Sequence, residues 1–183
     1  IDAIVKRVGE AGVAKDRIFA QDGGLPAARC TSLINVPTVK VHTLAGIAVS
    51  LKNYINFSPN PSKYHAPSTN LGEVHLLPEV KGKTRLNVLV MFTPQFHSFG
   101  PHSFNPKYVW KYHGLMLGFD PVAVDATGLR IIEAIRRDYF AEDRPLNPPA
   151  KHIAVADTKY HLGTADPQKI ELVKIGYDKD SFV

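Results

Sequence analysis

The chain has 183 residues, of which 44% are hydrophobic and 21% charged, a balance that suits one globular domain over 1–183 and excludes a disordered tail. Its single cysteine, Cys30, excludes an internal disulfide and any iron–sulfur cluster ligated by this chain alone. A formal charge of +5, with Lys and Arg spread rather than clustered, argues against nucleic acid as a partner and suits a small anionic ligand. No apolar run reaches the roughly 18–20 residues that span a bilayer.

The chain begins at Ile1 rather than Met. Ile4, Val5, Val8 and Ala11 fall at helical spacing, and Gly12 supplies a stop. A helix opening so abruptly suggests that a preceding strand is missing. Arg17–Ala20 reads as a short strand, closed by Asp22-Gly23-Gly24. Leu33–Pro37 reads as a second strand, continued by Thr38–His42, with Pro37 marking a bulge or an end. Gly46–Tyr54 reads as a helix with Ile47, Leu51 and Tyr54 on one face.

Asn56–Leu71 is dense in Pro, Ser and Asn and reads as a long loop. Leu76, Leu77 and Val80 suggest a helical turn. Arg85–Phe92 (RLNVLVMF) has the pattern of a buried central strand. Thr93–Lys107 is irregular, and Phe96–His102 reads as a loop over a pocket, turned at Gly100-Pro101. Gly114–Phe119 reads as a strand. Asp120-Pro121 then opens the clearest helix, with a favoured N-cap and a favoured first residue. His152–His161 reads as a shorter helix stopped by Gly163, and Lys169–Ile175 as a late strand. Interleaved helices and strands predict an α/β fold: a three-layer sandwich with a mostly parallel or mixed central sheet.

The densest polar group is Lys40, His42, Lys52 and Asn53. Lys40 and His42 lie two apart on a strand and share a face. Lysines hold an anion and His42 moves a proton near neutral pH; the same residues also suit a solvated rim. Asp120 is explained as an N-cap. Asp125 is not so easily explained: a carboxylate facing the sheet needs a cation or donors, and Lys52 or Lys40 is the expected partner. His65, His75, His97, His102 and His113 are candidate metal ligands without tight ligand spacing. Phe96, Phe99, Tyr108 and Trp110 suit either packing or a docking patch for a redox protein or another subunit.

Leu33-Ile34-Asn35-Val36-Pro37-x-x-Lys40-x-His42-x-x-x-Gly46, followed by Ser50-Leu51-Lys52-Asn53, resembles the signature of the domain of unknown function 362 family. So does Asp120-Pro121-Val122-Ala123-Val124-Asp125, and His161–Asp166 fits that family's C-terminal glycine turn. The resemblance runs from about residue 18 to 176, and the portion before the lysine–histidine motif is short for the family. It implies a prokaryotic protein, of the cytoplasm or, where an export signal has been removed, the periplasm. It implies that Lys40, His42, Lys52, Asn53, Asp120 and Asp125 form one site. The function expected from it is a pocket for a small anion, or a metal-assisted one, with enzyme-like character. In that pocket His42, Lys52 and Asp125 are catalytic, and Lys40, Asn53 and Asp120 bind the ligand. The alternative is a non-catalytic module docking through residues 93–113.

Overall fold

The apolar run at Arg85–Phe92 is the centre of the sheet in the computed structural model, which describes residues 1–20, 29–65, 68–98 and 104–176. It extends beyond the predicted bounds to form β4, Thr84–Gln95. Strand β1 (Leu33–Asn35) lies parallel to the first part of β4, with Asn35 beside Asn87. Strand β2 (Thr38–His42) lies parallel to its later part, with Thr38 beside Val90. Strand β5 (Gly114–Gly118) runs antiparallel against residues 87–91 of β4. Asn87 pairs with both β1 and β5, and Val90 with both β2 and β5, so β1 and β2 share one edge of β4 and lie end to end. The break between them is Val36-Pro37, where the Pro37 carbonyl accepts the Val90 N–H at 2.8 Å. Proline lacks the donor a continuous ladder needs, so the expected bulge falls there.

Strand β3 (Gly46–Ala48) closes an antiparallel hairpin with β2, His42 facing Gly46. The expected helix over Gly46–Tyr54 is therefore corrected. Its first three residues are strand, and helix α2 covers only Ser50–Asn53 before a 3-10 turn over Tyr54–Phe57. Gly46 decides this: its φ of +77° turns the hairpin, and a Cβ there would lie 2.6 Å from the Pro148 carbonyl oxygen. Gly46→Ala is expected to cost about 2–4 kcal/mol, from left-handed backbone and a forced shift of residues 148–150. A urea midpoint within error of the native one would contradict this.

Helix α1 spans Asp2–Glu10 and buries none of its residues. The expected strand at Arg17–Ala20 is instead a 3-10 turn at Lys15–Arg17 and irregular chain. The predicted loop after Asn56 is ordered as 3-10 turns at Pro61–Tyr64 and Ser68–Leu76. Their Tyr64, Leu71 and Val74 join Leu33, Tyr54 and Ile55 in a second core. Residues 169–175 form no strand; a 3-10 turn at Pro167–Lys169 leads into chain where Val173 and Ile175 are exposed. Ile170 and Leu172 are half-buried, with Ile170 packed against the main core, but the stretch pairs with no strand. The glycine pair at 23–24 and the Gly100-Pro101 turn lie outside the described residues.

Helix α3, Pro121–Phe140, starts as the sequence predicts: Asp120 Oδ1 accepts the N–H of Val122 at 2.7 Å and of Ala123 at 2.9 Å. It lies on the sheet face formed by Val39, Val41, Leu89 and Met91, with helix α4 (Lys151–Thr158) beside it. An added Cβ at Gly128 would sit 3.2 Å from Leu89, so glycine sets the close approach of helix to strand. The result is an α/β sandwich with a five-stranded mixed sheet. On the opposite sheet face Ile34, Phe92, Leu115 and Leu117 are exposed. Among the described residues no helix is long and apolar enough to cross a membrane.

Candidate functional site

The hairpin β2–β3 delivers the chain into α2, and Asp125 of α3 receives it. Val49, at the N-cap position of α2, has no side chain that can cap. Asp125 does so from another element: Oδ1 accepts the Ser50 N–H at 2.7 Å and Oδ2 the Leu51 N–H at 3.2 Å. The carboxylate is fully buried, and its Oδ2 is 3.8 Å from Nε2 of His152, itself 1% exposed. Burial pushes the Asp125 carboxyl up from its usual range, while His152 and the two N–H groups pull it back. The expected lysine partner is thus corrected. Fixed backbone donors satisfy this carboxylate without ordering a long side chain or desolvating an ammonium.

Three asparagines hold the other side of α2. Asn35 donates to the Ser50 carbonyl at 3.1 Å and to Asn87 Oδ1 at 3.0 Å. Asn53 donates to Asn35 Oδ1 at 2.7 Å, so part of its carboxamide is engaged by the protein. Asn87 also donates to the Gly118 carbonyl at 3.2 Å, which fixes β5 to the same network. Asn35 and Asn87 were missed as site residues, although a polar side chain in an apolar strand is a signal that points to them. His152 carried no signal beyond a place on a helix.

Held this way, α2 buries Lys52. The residue is 6% exposed, and among the described residues its Nζ has no hydrogen-bond partner. Burial, and then the charge of exposed Lys40, push its ammonium down to about 8. His42 is half-buried at the end of β2. Its Nδ1 accepts the Leu44 N–H at 3.1 Å, which leaves the ring proton on Nε2 as a donor. Burial pushes His42 down to about 4, helped by Lys52, His65, Lys40 and His152 in that order. The His65 ring lies 6.3 Å from that of His42. His42, Lys40 and Lys52 therefore share one electrostatic neighbourhood, and Asp125 holds the first turn of the helix that carries Lys52. Asp120 lies apart, at the start of α3, where its Oδ2 also accepts the Thr164 N–H at 2.8 Å. Gly163 leaves room for that carboxylate, and this joins the helix-opening motif to the C-terminal glycine turn.

A cavity of about 200 Å³ opens beside His42, lined also by Thr43, His97, Arg136, Arg144 and Asn147. Lys40, Lys52 and Asp125 are not among its lining residues. Arg136 is 4% exposed and donates to the carbonyls of Arg144, Pro145 and Phe96, so it braces the cavity wall. Phe96 is buried against Tyr108, Tyr139 and Phe140, and Trp110 stacks on Tyr112 at 4.5 Å. These aromatics pack inward, which argues against a docking patch built from them; Phe99 and His102 lie outside the described residues. Among the described residues no three His, Cys, Asp or Glu side chains gather to hold a metal ion.

The model for Domain of unknown function (DUF362) matches residues 18–130, more than half of the chain. The chain belongs to the DUF362 family. No curated protein and no solved structure matches it. Within the DUF362 match lie Asn35, Lys40, His42, Lys52, Asn53, Asn87, Asp120 and Asp125. His152 and the glycine turn at Gly163 lie beyond it.

Proposed function

We propose that the end of β2 and helix α2 form an enzyme-like pocket for a small anion, a carboxylate or a phosphate. The observation that carries this reading is Lys52: a buried ammonium with neither a carboxylate nor a hydrogen-bond acceptor at its Nζ among the described residues. Unpaired buried charge is costly, and an anionic ligand supplies the missing partner. Lys40 adds a second positive charge from the solvent side. His42 presents its Nε2–H as a donor and is neutral near pH 7, so it polarises a ligand oxygen without adding charge. Asp125 acts through α2, by holding the backbone from which Lys52 projects.

Thermal melting with inorganic phosphate and with propionate tests the reading. The native chain is expected to melt higher with at least one of the two, while His42→Ala and Lys52→Met fold and give no shift. Lys52→Met is also expected to be more stable than the native chain without ligand, by about 2 kcal/mol at pH 7, because it removes an unpaired buried charge. A native chain indifferent to both anions, or two variants that simply unfold, would leave these residues with a structural role only.

A further inference from the structure

Resting on the anion-binding reading, we propose that Lys52 is a nucleophile whose amine condenses with the carbonyl group of a small oxo acid while Lys40 holds the carboxylate. Lys52 is 6% exposed, has no acceptor at Nζ among the described residues, and has Lys40 opposing its charge. Until an anion pairs it, such an arrangement favours the free amine, the form that attacks electrophiles. A Lys52 ammonium lowered to about 8 leaves roughly a tenth of the amine uncharged at pH 7, hundreds of times the fraction on an ordinary lysine. The backbone beneath it is fixed on two sides, by Asp125 at the Ser50 and Leu51 N–H groups and by Asn35 at the Ser50 carbonyl. A nucleophile with so little backbone freedom meets its electrophile in one orientation.

The chemistry balances with residues already described. The Nζ lone pair forms a bond to the carbonyl carbon, and the carbonyl electrons move to oxygen. His42 holds that oxygen through a hydrogen bond from its Nε2–H while a proton passes from nitrogen to oxygen. The oxygen then leaves as water with the two protons the amine has lost, and a C=N bond remains. No oxidant or reductant takes part, and a carboxylate next to the carbonyl is drawn to Lys40.

The test uses pyruvate as the oxo acid and propionate as a carboxylate of the same length without the carbonyl. Folded protein is mixed with pyruvate near pH 7, treated with borohydride, digested and mapped by mass spectrometry. Borohydride supplies hydride to the imine carbon and fixes the adduct as a secondary amine. The expected product carries the mass of pyruvic acid less one oxygen on Lys52, at about tenfold or more the level on any other lysine. Excess propionate suppresses it, and protein unfolded in urea or carrying Lys52→Met loses the preference. Propionate stabilisation without a Lys52 adduct, or adducts spread evenly over the lysines, overturns the nucleophile and leaves the anion site standing. Neither stabilisation nor adduct overturns both.

Discussion

Asp125→Ala is expected to lose about 3–5 kcal/mol of folding stability, a large share of what a domain of this size possesses. The loss has a definite origin. The substitution deletes the acceptor for two N–H groups, those of Ser50 and Leu51, in a place that water does not reach. Each abandoned donor costs about 1–3 kcal/mol. It also leaves His152, 1% exposed, facing a void in place of a carboxylate. Asp125→Asn keeps one acceptor oxygen for the Ser50 N–H at 2.7 Å but turns an amide toward the second donor, so a smaller loss of about 1–2 kcal/mol is expected. Urea denaturation at pH 7 measures both. An alanine variant within about 1 kcal/mol of the native chain would mean that α2 holds its place without the carboxylate. The anchor for Lys52 would then lie elsewhere.

Parts of this arrangement were legible and parts were not, for reasons that differ by residue. Asp120-Pro121 announces a helix because each residue suits its position independently of the rest of the fold, and α3 begins there. The run at β4 is legible because a strand paired on both edges, with little of its length in water, has little use for polar side chains. Strand β3 was hidden. Ile47, Leu51 and Tyr54 match helical spacing, yet Gly46–Ala48 is too short to show an alternation and forms only because β2 offers it an edge. Lys52 and Asp125 stood out as charges in apolar surroundings, and the structure does bring their segments together. What spacing could not supply was the partner. A carboxylate satisfied by backbone N–H groups 74 and 75 residues away leaves no mark on side-chain pattern, so a lysine looked the natural choice. His152 was missed for the same reason: only the packing of α4 against α3 brings it to Asp125.

The basic groups around His42 have a common consequence. Lys40, Lys52, His65 and His152 all oppose a proton on that ring, and Lys40 opposes one on Lys52. Among the described residues no carboxylate is seen to act on His42 or Lys52, and nearby Asp125 is engaged by α2 and His152. A protein surface optimised for stability alone would place an acid among these bases. The arrangement is intelligible as one completed by an external anion, and the stability given up is recovered when that anion binds.

Acidification gives the second large effect. Below about pH 6.5 the native chain is expected to weaken steeply, and to level off toward pH 4 as far as its histidines are concerned. His75 is the chief cause. It is 7% exposed, its ring packs 5.1 Å from that of Tyr54, and burial lowers it from 6.5 to about 4. Between those two values the unfolded chain binds a proton that the folded chain refuses, so stability falls as pH falls. The difference is worth about 3 kcal/mol when complete. His42 acts in the same direction over the same range, but it is only half-buried and solvent reduces its share. Asp125 acts in the opposite sense. Its folded form takes up a proton before its unfolded form does, so it returns part of the loss as pH falls toward the ordinary carboxylate range. His75→Asn removes the titrating ring and keeps a side-chain donor for the backbone of α2. Its stability between pH 6.5 and 4 should fall by about 3 kcal/mol less than that of the native chain in urea titrations. If the two curves run parallel, His75 already carries a proton in the fold, and burial does not govern its charge.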